Sequence, residues 1–324
     1  DGSPTWDELA TADPTPTPPD LDADCVASIT YTGGTTGLPK GVMQTHGNLV
    51  VNAKHMLWAN PLFFEDRFLH LTPMFHSAGV ANMYAQMLVA GTNVTCPGFD
   101  PDLVGRMIEE HDITVCVLVP TMINMFLNHP GTAERDLSSW RMCLYAASPI
   151  PIALLRRAMS ELPCGFSQGY GMTEMSPHCT QLTPADHDKA LAGDPDGVRR
   201  LASAGTPCIG VDLEVRRPDG ALCEIGEVGE VTVRGPNMMP GYWNRPVETA
   251  EAFTPDGWYR TGDLGSVDDG GYVFLVDRAK DMIVSGGENV YTTEVENALA
   301  SHPAVLELAV FGIPHEQWGE AVHA

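Results

Sequence analysis

The stretch Ile29-Thr-Tyr-Thr-Gly-Gly-Thr-Thr-Gly-Leu-Pro-Lys-Gly41 is built for holding anions. Thr32 to Gly37 contain only Gly and Thr, and Lys40 follows behind Pro39. Glycines let backbone N–H groups approach phosphate oxygens closely, the hydroxyls of Thr35 and Thr36 add donors, and the lysine adds a point charge. Together they read as a polyphosphate clamp, entered from a short buried strand over Val26–Tyr31. The Walker A loop does not fit, because it needs Gly before the lysine and Ser or Thr after it, whereas Pro39 precedes Lys40 and Gly41 follows. A plain solvent-exposed turn is the bland alternative, and the length and composition of the segment weigh against it.

Four further segments carry reactive side chains in fixed order: Pro73-Met-Phe-His76, Gln168-Gly-Tyr-Gly-Met-Thr-Glu174, Gly257-Trp-Tyr-Arg-Thr-Gly-Asp-Leu264 and Asp277-Arg-Ala-Lys-Asp-Met-Ile-Val-Ser-Gly-Gly-Glu-Asn289. Each has a bland reading in isolation. Thr-Gly-Asp is a common turn, a histidine among apolar residues is more often structural than catalytic, and a lone arginine is usually a solvated charge. Taken in order, the five segments resemble the signature motifs of the adenylate-forming (AMP-binding) enzymes. These include acyl-CoA synthetases, luciferases and peptide-synthetase adenylation domains, and the fatty-acid–CoA ligases are the most similar. The resemblance spans nearly the whole chain.

That resemblance implies a two-step reaction. A carboxylate attacks the α-phosphorus of ATP to give an acyl-adenylate and pyrophosphate, and a thiol, often that of coenzyme A, then displaces AMP. Two anions must meet, so cations and oriented N–H groups are needed at the phosphates. By resemblance Thr32, Gly33, Gly34, Thr35, Thr36, Gly37 and Lys40 hold the ATP phosphates. Many relatives have Ser at the position of Gly33, and the backbone donors remain without it. Thr173 would bond the α-phosphate, and Glu174 would contact Mg²⁺, for which a hard carboxylate oxygen is suited. Glu174 is expected in a surface cleft, where Glu174→Ala would leave the fold intact. Gly169, Tyr170, Gly171 and Met172 would border adenine, with the Tyr170 ring stacked on it. Asp263 would accept from the ribose hydroxyls, and Arg278 would reach ribose or phosphate.

His76, Ala146, Ala147 and Gly169 would line the acyl pocket, His76 lying near the reacting carboxylate. The segment Phe75-His76-Ser77 offers no Asp to hold a substrate ammonium, which favours a fatty or aryl acid over an amino acid. Lys280 resembles the hinge about which a small domain rotates between the two half-reactions. The loop Ser285-Gly286-Gly287 would then swing to the coenzyme A side. The family's C-terminal lysine has no counterpart, so this polypeptide is expected to adenylate poorly, and the chain reads as an internal fragment of a longer enzyme.

Composition sets the background. The 324 residues can bury one large core or two. The balance of 18 Lys+Arg against 42 Asp+Glu gives a formal charge of -24, which argues against a nucleic-acid or anionic-membrane partner. The eight cysteines form no Cys-x-x-Cys pair, consistent with reduced thiols in a cytoplasmic protein. The longest apolar stretch, Ile113 to Leu127, is interrupted by Pro120 and is too short to span a membrane. It reads as a buried strand followed by a helix, so stable membrane insertion is not expected, and a homodimer is compatible with the chain.

The elements that must position these residues follow from periodicity. Residues 1–24, including the Pro/Thr-rich run Thr11 to Asp20, read as an extended connector. Strands are expected over Val26–Tyr31, Arg67–Leu71, Asn93–Cys96, Thr114–Val119, Met142–Ala146 and Gly165–Tyr170. Helices are expected over His46–Trp58, Gly79–Val89, Leu103–His111, Met122–Asn128 and Ile152–Glu161. Such alternation predicts an α/β large domain, residues 25–279, with parallel-rich sheets covered by helices. Short strands over Val211–Arg216, Glu230–Arg234 and Tyr272–Val276 suit a small β-barrel-like subdomain. Residues 280–324 would hold the hinge and the start of a small α+β domain, with a helix over Thr293–Leu299 and a strand over Val305–Phe311.

The leading function is an ATP-dependent acid–CoA ligase. Alternatives are an adenylating enzyme that loads a carrier-protein thiol and a non-catalytic nucleotide-binding paralogue. A P-loop phosphotransferase is disfavoured by the loop spacing.

Overall fold

In the computed structural model, residues 8, 11, 20–32, 39–300, 302, 304–305 and 308–324 are described. The glycine- and threonine-rich segment from Gly33 to Gly37 and most of the Pro/Thr-rich connector therefore lie outside the described residues. Strands β1 (Val26–Thr32) and β2 (Lys40–Thr45) form an antiparallel hairpin whose final pair is Thr32 with Lys40. That pairing brings the two ends of the 33–39 segment together. The expectation that β1 is buried is corrected: Val26 is 45% exposed and Tyr31 66%. The hairpin is a separate two-stranded sheet, so β1 is an edge with solvent beside it.

The central sheet has seven strands. In chain order these are β3 (Arg67–His70), β4 (Thr92–Thr95), β5 (Val115–Leu118), β6 (Met142–Ala146), β7 (Gly165–Gly171), β8 (His178–Leu182) and β9 (Thr206–Pro207). Their spatial order is β4-β3-β5-β6-β7-β8-β9, parallel as far as β7 and antiparallel beyond it. Helices α1 (His46–Ala59), α2 (Ser77–Leu88), α3 (Pro101–His111), α4 (Pro120–Asn128) and α5 (Ile152–Glu161) make the connections. Their starts are legible in the sequence. Thr45 and Asn48 form a reciprocal capping box at α1. Asp100 caps α3, and Pro101 and Pro120 occupy first-turn positions where no N–H is needed.

Parallel strands covered on both faces read as continuous apolar runs, and all of Val115–Leu118 is buried. The main core gathers around Trp140, Phe126, Tyr145, Ile108 and Leu155, each at most 1% exposed.

Sequence periodicity misses β2 and β8 and also two short helices, α6 (Pro184–Leu191) and α7 (Pro195–Arg200). A second sheet follows, with β10 (Asp212–Arg216), β11 (Gly229–Arg234), β12 (Tyr259–Val267) and β13 (Val273–Arg278), antiparallel throughout. Its hydrogen-bonded order is β10-β11-β12-β13, and α8 (Pro246–Ala252) lies between β11 and β12 in the chain. The fully buried Val231, Val233 and Val273 join Val42 of β2 and Met175 in one cluster, which locks this sheet onto the rest.

The last segment holds β14 (Ile283–Ser285), β15 (Glu288–Val290), α9 (Thr292–Ala300), β16 (Phe311–His315) and β17 (Gly319–His323), with strand order β15-β14-β17-β16. The strand expected over Val305–Phe311 lies partly outside the described residues, at 306–307, and among those described the ladder begins only at Phe311, paired with His323. Val310 gives its amide to the Glu296 carboxylate on α9 at 2.9 Å, so that N–H is not available to a neighbouring strand.

One polar node around the buried Asp66 ties together the starts of β3, β5 and β6. The Asp66 carboxylate accepts from Arg141 Nε at 2.8 Å, from the Thr114 hydroxyl at 2.7 Å and from the Phe63 amide at 2.7 Å. Burial alone would raise its pKa. The Arg141 guanidinium and these donors outweigh burial and hold the carboxyl below its ordinary value. Such a group stabilises the fold above the ordinary carboxylate range, and that stabilisation is lost as pH falls through the lowered folded value. Asp66→Ala is expected to cost about 3 kcal/mol in urea unfolding at neutral pH, because it strands Arg141 and Thr114. The loss should shrink as pH falls below the ordinary carboxylate range and through the lowered folded value. A pH-independent difference between the two proteins would refute this account.

Candidate active site

A cleft of about 1680 Å³ runs between the C-terminal ends of the parallel strands, the second sheet and the last segment. The crevice outside the carboxyl ends of parallel strands is where open α/β sheets bind ligands. Lys40, His76, Glu174, Asp263, Arg278 and Lys280 all line it, though they come from motifs spread over most of the chain. Thr32, Ala146, Ala147, Gly169, Tyr170, Gly171, Met172 and Thr173 line it as well. Thr32, Ala146, Gly171 and Arg278 end their strands, and Ala147, Met172, Thr173, Glu174 and Lys280 follow strand ends.

One corner is organised by Asp263 on β12. The Tyr170 hydroxyl, at the end of β7, donates to Asp263 Oδ2 at 2.6 Å. Arg278 is the cross-strand partner of Asp263 on β13, and its Nε lies 3.6 Å from Oδ1. Burial raises the Asp263 pKa, and the Tyr170 hydrogen bond and the Arg278 charge only partly oppose this. The Tyr170 hydroxyl is pushed up in turn, first by burial and then by the adjacent carboxylate. The corner thus presents a carboxylate with limited hydration, an aromatic ring and a guanidinium, a set that can accept from vicinal hydroxyls beside a flat base.

A second corner is organised by Glu174. Expected in a surface cleft, it lines the cleft from a buried position, 8% exposed, in the short turn Thr173–Met175 between β7 and β8. Its Oε1 accepts from the Tyr242 hydroxyl at 2.8 Å, and Tyr242 and Tyr259 hydroxyls lie 3.2 Å apart. Both phenols are raised above their ordinary value, first by burial and then by the Glu174 charge, so both stay protonated and can donate. Lys40 Nζ stands 4.5 Å over the Tyr242 ring. The ring therefore holds the lysine while its hydroxyl holds the glutamate. The backbone explains the placement: Gly41 and Met43 on β2 exchange bonds with Trp243 and Gly241, at 2.7 and 3.1 Å. Glu174→Ala would take the carboxylate acceptor from Tyr242 and leave it only the Tyr259 hydroxyl at 3.2 Å, so a cost in stability is expected beside the loss of the site.

Thr173 sits between these corners. Its carbonyl accepts from Gln44 Nε2 at 3.2 Å, and its hydroxyl lies 3.3 Å from that of Ser77. Gln44 Oε1 also accepts from Ser28 and Thr30, both at 3.0 Å, so one buried glutamine joins the hairpin to the Thr173 turn. His76 caps α2, its Nδ1 accepting from the Ala78 amide at 3.2 Å, and its ring borders the cleft.

Among the described residues no cluster of three or more His, Cys, Asp or Glu could cage a metal. A single carboxylate with one oxygen tied to Tyr242 does fit Mg²⁺, which takes most of its ligands from phosphate and water. Lys280 lies in the exposed turn between β13 and β14. Ser285, Gly286 and Gly287 form a tight hairpin turn between β14 and β15 and do not line the cleft. Gly286 and Gly287 have φ of 62° and 88°, the left-handed pair that a two-residue hairpin needs. Trp318 packs where a Gly286 side chain would stand, 2.8 Å from an added Cβ. Gly33, Gly34, Thr35, Thr36 and Gly37 lie outside the described residues, between Thr32 and Lys40.

Sequence reasoning missed Tyr242, Tyr259 and Gln44. Tyr259 lies inside a recognised segment, and Gly241-Tyr-Trp243 carried a weak aromatic signal of its own. Nothing local marks Gln44, whose partners are up to 129 residues away.

Comparison with known proteins agrees with this geometry. The AMP-binding enzyme family model matches residues 2–243, and the AMP-binding enzyme C-terminal domain model matches residues 294–324. A feruloyl-CoA synthase of Amycolatopsis sp is 41% identical over 94% of this chain and 60% of its own length. A medium/long-chain-fatty-acid–CoA ligase of Mycobacterium tuberculosis is 42% identical over 94% of this chain and 52% of its own length. An o-succinylbenzoate CoA synthetase from Bacillus subtilis, solved with an acyl-adenylate intermediate, superimposes with a TM-score of 0.84 at 35% identity, covering 94% of this chain and 59% of that one. The chain spans between half and three-fifths of the length of these relatives. With the family model matching residues 2–243, most of its length, the chain belongs to the AMP-binding enzyme family.

Proposed function

We propose that the protein is an ATP-dependent acid–CoA ligase that joins a carboxylic acid to ATP as an acyl-adenylate and passes the acyl group to coenzyme A. The observation that carries this reading is the pairing of two corners on one cleft, Tyr170–Asp263–Arg278 and Lys40–Tyr242–Glu174. The first suits ribose and adenine, with Asp263 accepting from the hydroxyls. The second suits phosphates, with Lys40 as the cation and Glu174 as the group that would hold Mg²⁺. When bound, that ion would neutralise phosphate charge as pyrophosphate departs.

In this reading Thr173 orients the α-phosphate, steadied by Gln44 and Ser77. The acid enters beside His76, Ala146, Ala147 and Gly169, and its carboxylate oxygen forms the new bond to phosphorus as the bond to pyrophosphate breaks. In the second step the thiol attacks the acyl carbon and AMP leaves. Residues 25–279 would act as the nucleotide-binding unit and residues 280–324 as a mobile one, with the bend at Lys280 and the Ser285–Gly287 turn delivered to the thiol side. Among the described residues no helix is long and apolar enough to cross a membrane. All eight cysteines are free thiols, which supports a cytoplasmic setting.

The test is pyrophosphate and AMP release across fatty, aryl and amino acids, with and without coenzyme A. Thioester formation with a fatty or aryl acid is expected. Pyrophosphate without thioester would move the acceptor to a carrier-protein thiol, and release of ADP would reject adenylation.

Tyr242→Phe removes the donor to Glu174 but keeps the ring under Lys40. It should weaken Mg·ATP binding about tenfold in calorimetry, with magnesium-free ATP binding little changed. Equal loss in both would assign Tyr242 to packing alone.

Asp263→Asn should separate stability from function. Its carboxyl is held above the ordinary value, so the ionised form opposes folding at neutral pH. The variant is expected to melt at a higher temperature and to bind ATP at least tenfold more weakly. A lower melting temperature would contradict the burial argument.

A further inference from the structure

The last segment, from Ile283 onward, is joined to the rest of the molecule by few bonds. Its four strands form a sheet of their own, and no ladder links that sheet to the others. Its buried apolar side chains, Ile283 and Val310, lie outside the hydrophobic clusters that hold the two larger sheets. Among the described residues, the hydrogen bonds that cross to it from beyond the turn 278–282 all end on one carboxylate, Asp277.

Asp277 sits near the end of β13, where it pairs with Leu264 on β12. Thr292 opens α9 and is buried. The Thr292 amide donates to Asp277 Oδ2 at 2.5 Å, and its hydroxyl lies within reach of both carboxylate oxygens, at 3.1 and 3.0 Å. The acid thus satisfies an N–H that the first turn of a helix leaves free, and it does so from the far side of the turn that carries Lys280. It also meets the positive end of the helix dipole.

Asp277 belongs to the second sheet in this contact. Its Oδ1 accepts from the Arg278 amide at 2.7 Å, and the Ala279 amide donates to the Gly262 carbonyl at 2.9 Å. The backbone before Lys280 is therefore fixed. A rotation about Lys280 carries Thr292 away while Asp277 stays, so all three contacts must break. The Ser285–Gly287 turn stands off the cleft in the pose they hold, which makes it the pose that precedes thiol attack.

We propose that Asp277 is a positioning residue, a latch that holds the last segment in the pose of the first half-reaction and sets how readily it swings to the second. This latch presupposes the acid–CoA ligase reading with its bend at Lys280. A contact present in only one of two poses shifts their ratio by its full value when it is removed.

Thr292→Pro removes both donors to Asp277, and proline suits a first helical position, so α9 keeps its start. Asp277→Ala removes the acceptor from the other side. Single-molecule energy transfer reads the pose without turnover, between dyes on click-reactive residues placed at the exposed Glu110 of α3 and Glu316 of the last segment. Each variant is expected to raise the ratio of the second pose to the first about tenfold or more. The two together should go no further than the larger single change, since they break the same contact. An unshifted ratio in Thr292→Pro, whatever its melting temperature, would reduce the contact to a helix cap and overturn the proposal. So would a double variant whose shift is the product of the two single ones. If Asp277→Ala fails to fold, Thr292→Pro decides alone. Pyrophosphate release is measured separately on the unsubstituted protein. Its absence with every acid would reject the ligase reading, whereas the dyes would still report the latch.

Discussion

Two carboxylates, Glu174 buried and Asp263 half-buried, each capped by a tyrosine hydroxyl, set the terms for the rest of the cleft. Glu174 and Asp263 face a space read here as the seat of a polyanion, in a chain of net charge -24. An unpaired carboxylate is costly to bury. Tyr242 and Tyr170 lower that cost with neutral donors, at 2.8 and 2.6 Å, without consuming a cation. Lys40 and Arg278 are thereby left on the cleft wall, Lys40 over a ring and Arg278 at 3.6 Å from its acid. A direct Lys40–Glu174 pair would cancel the two groups against each other before any phosphate arrived. Lys40 instead rests over the Tyr242 ring, and Glu174 takes the hydroxyl of that same ring.

The supporting architecture follows from the need to hold those groups still. Glu174 lies in a turn between a parallel strand and the antiparallel strand that follows it. Tyr242 lies on a loop hydrogen-bonded to the opening hairpin, and Asp263 lies on the second sheet. The buried valines shared by β2, β10, β11 and β13 weld these elements into one cluster. Gln44 repeats the theme with polar chemistry, since its amide joins Ser28, Thr30 and Thr173. The site is thus assembled at the meeting of separate sheets, where each sheet contributes one wall.

Much of this was legible in the sequence. The alternation of apolar strands with amphipathic helices predicted the parallel sheet, and the limits of Met142–Ala146 and Ile152–Glu161 agree to the residue. The helices expected from Leu103 and Met122 start two residues earlier, at Pro101 and Pro120, where proline suits a first turn. The chemistry-bearing side chains of the later motifs were named from type and order, and all but the Ser285–Gly287 turn line the cleft. Local chemistry sufficed there, because a glycine pair, a cap or an alternating pattern is a statement about neighbouring residues.

Tertiary structure alone decided the remainder. Whether β1 is buried depends on which strand lies beside it, and the alternation of Val26–Tyr31 carries no information about a missing neighbour. Whether Val310 joins a ladder depends on Glu296, fourteen residues earlier. The burial of Glu174 and the roles of Tyr242, Tyr259 and Gln44 all arise from contacts between distant segments. Tyr242 and Glu174 are 68 residues apart in the chain. The sequence by itself determined which residues can bind a nucleotide and in what order they occur. Which carboxylate is desolvated, and which hydroxyl caps it, was fixed only when side chains from separate elements were packed together.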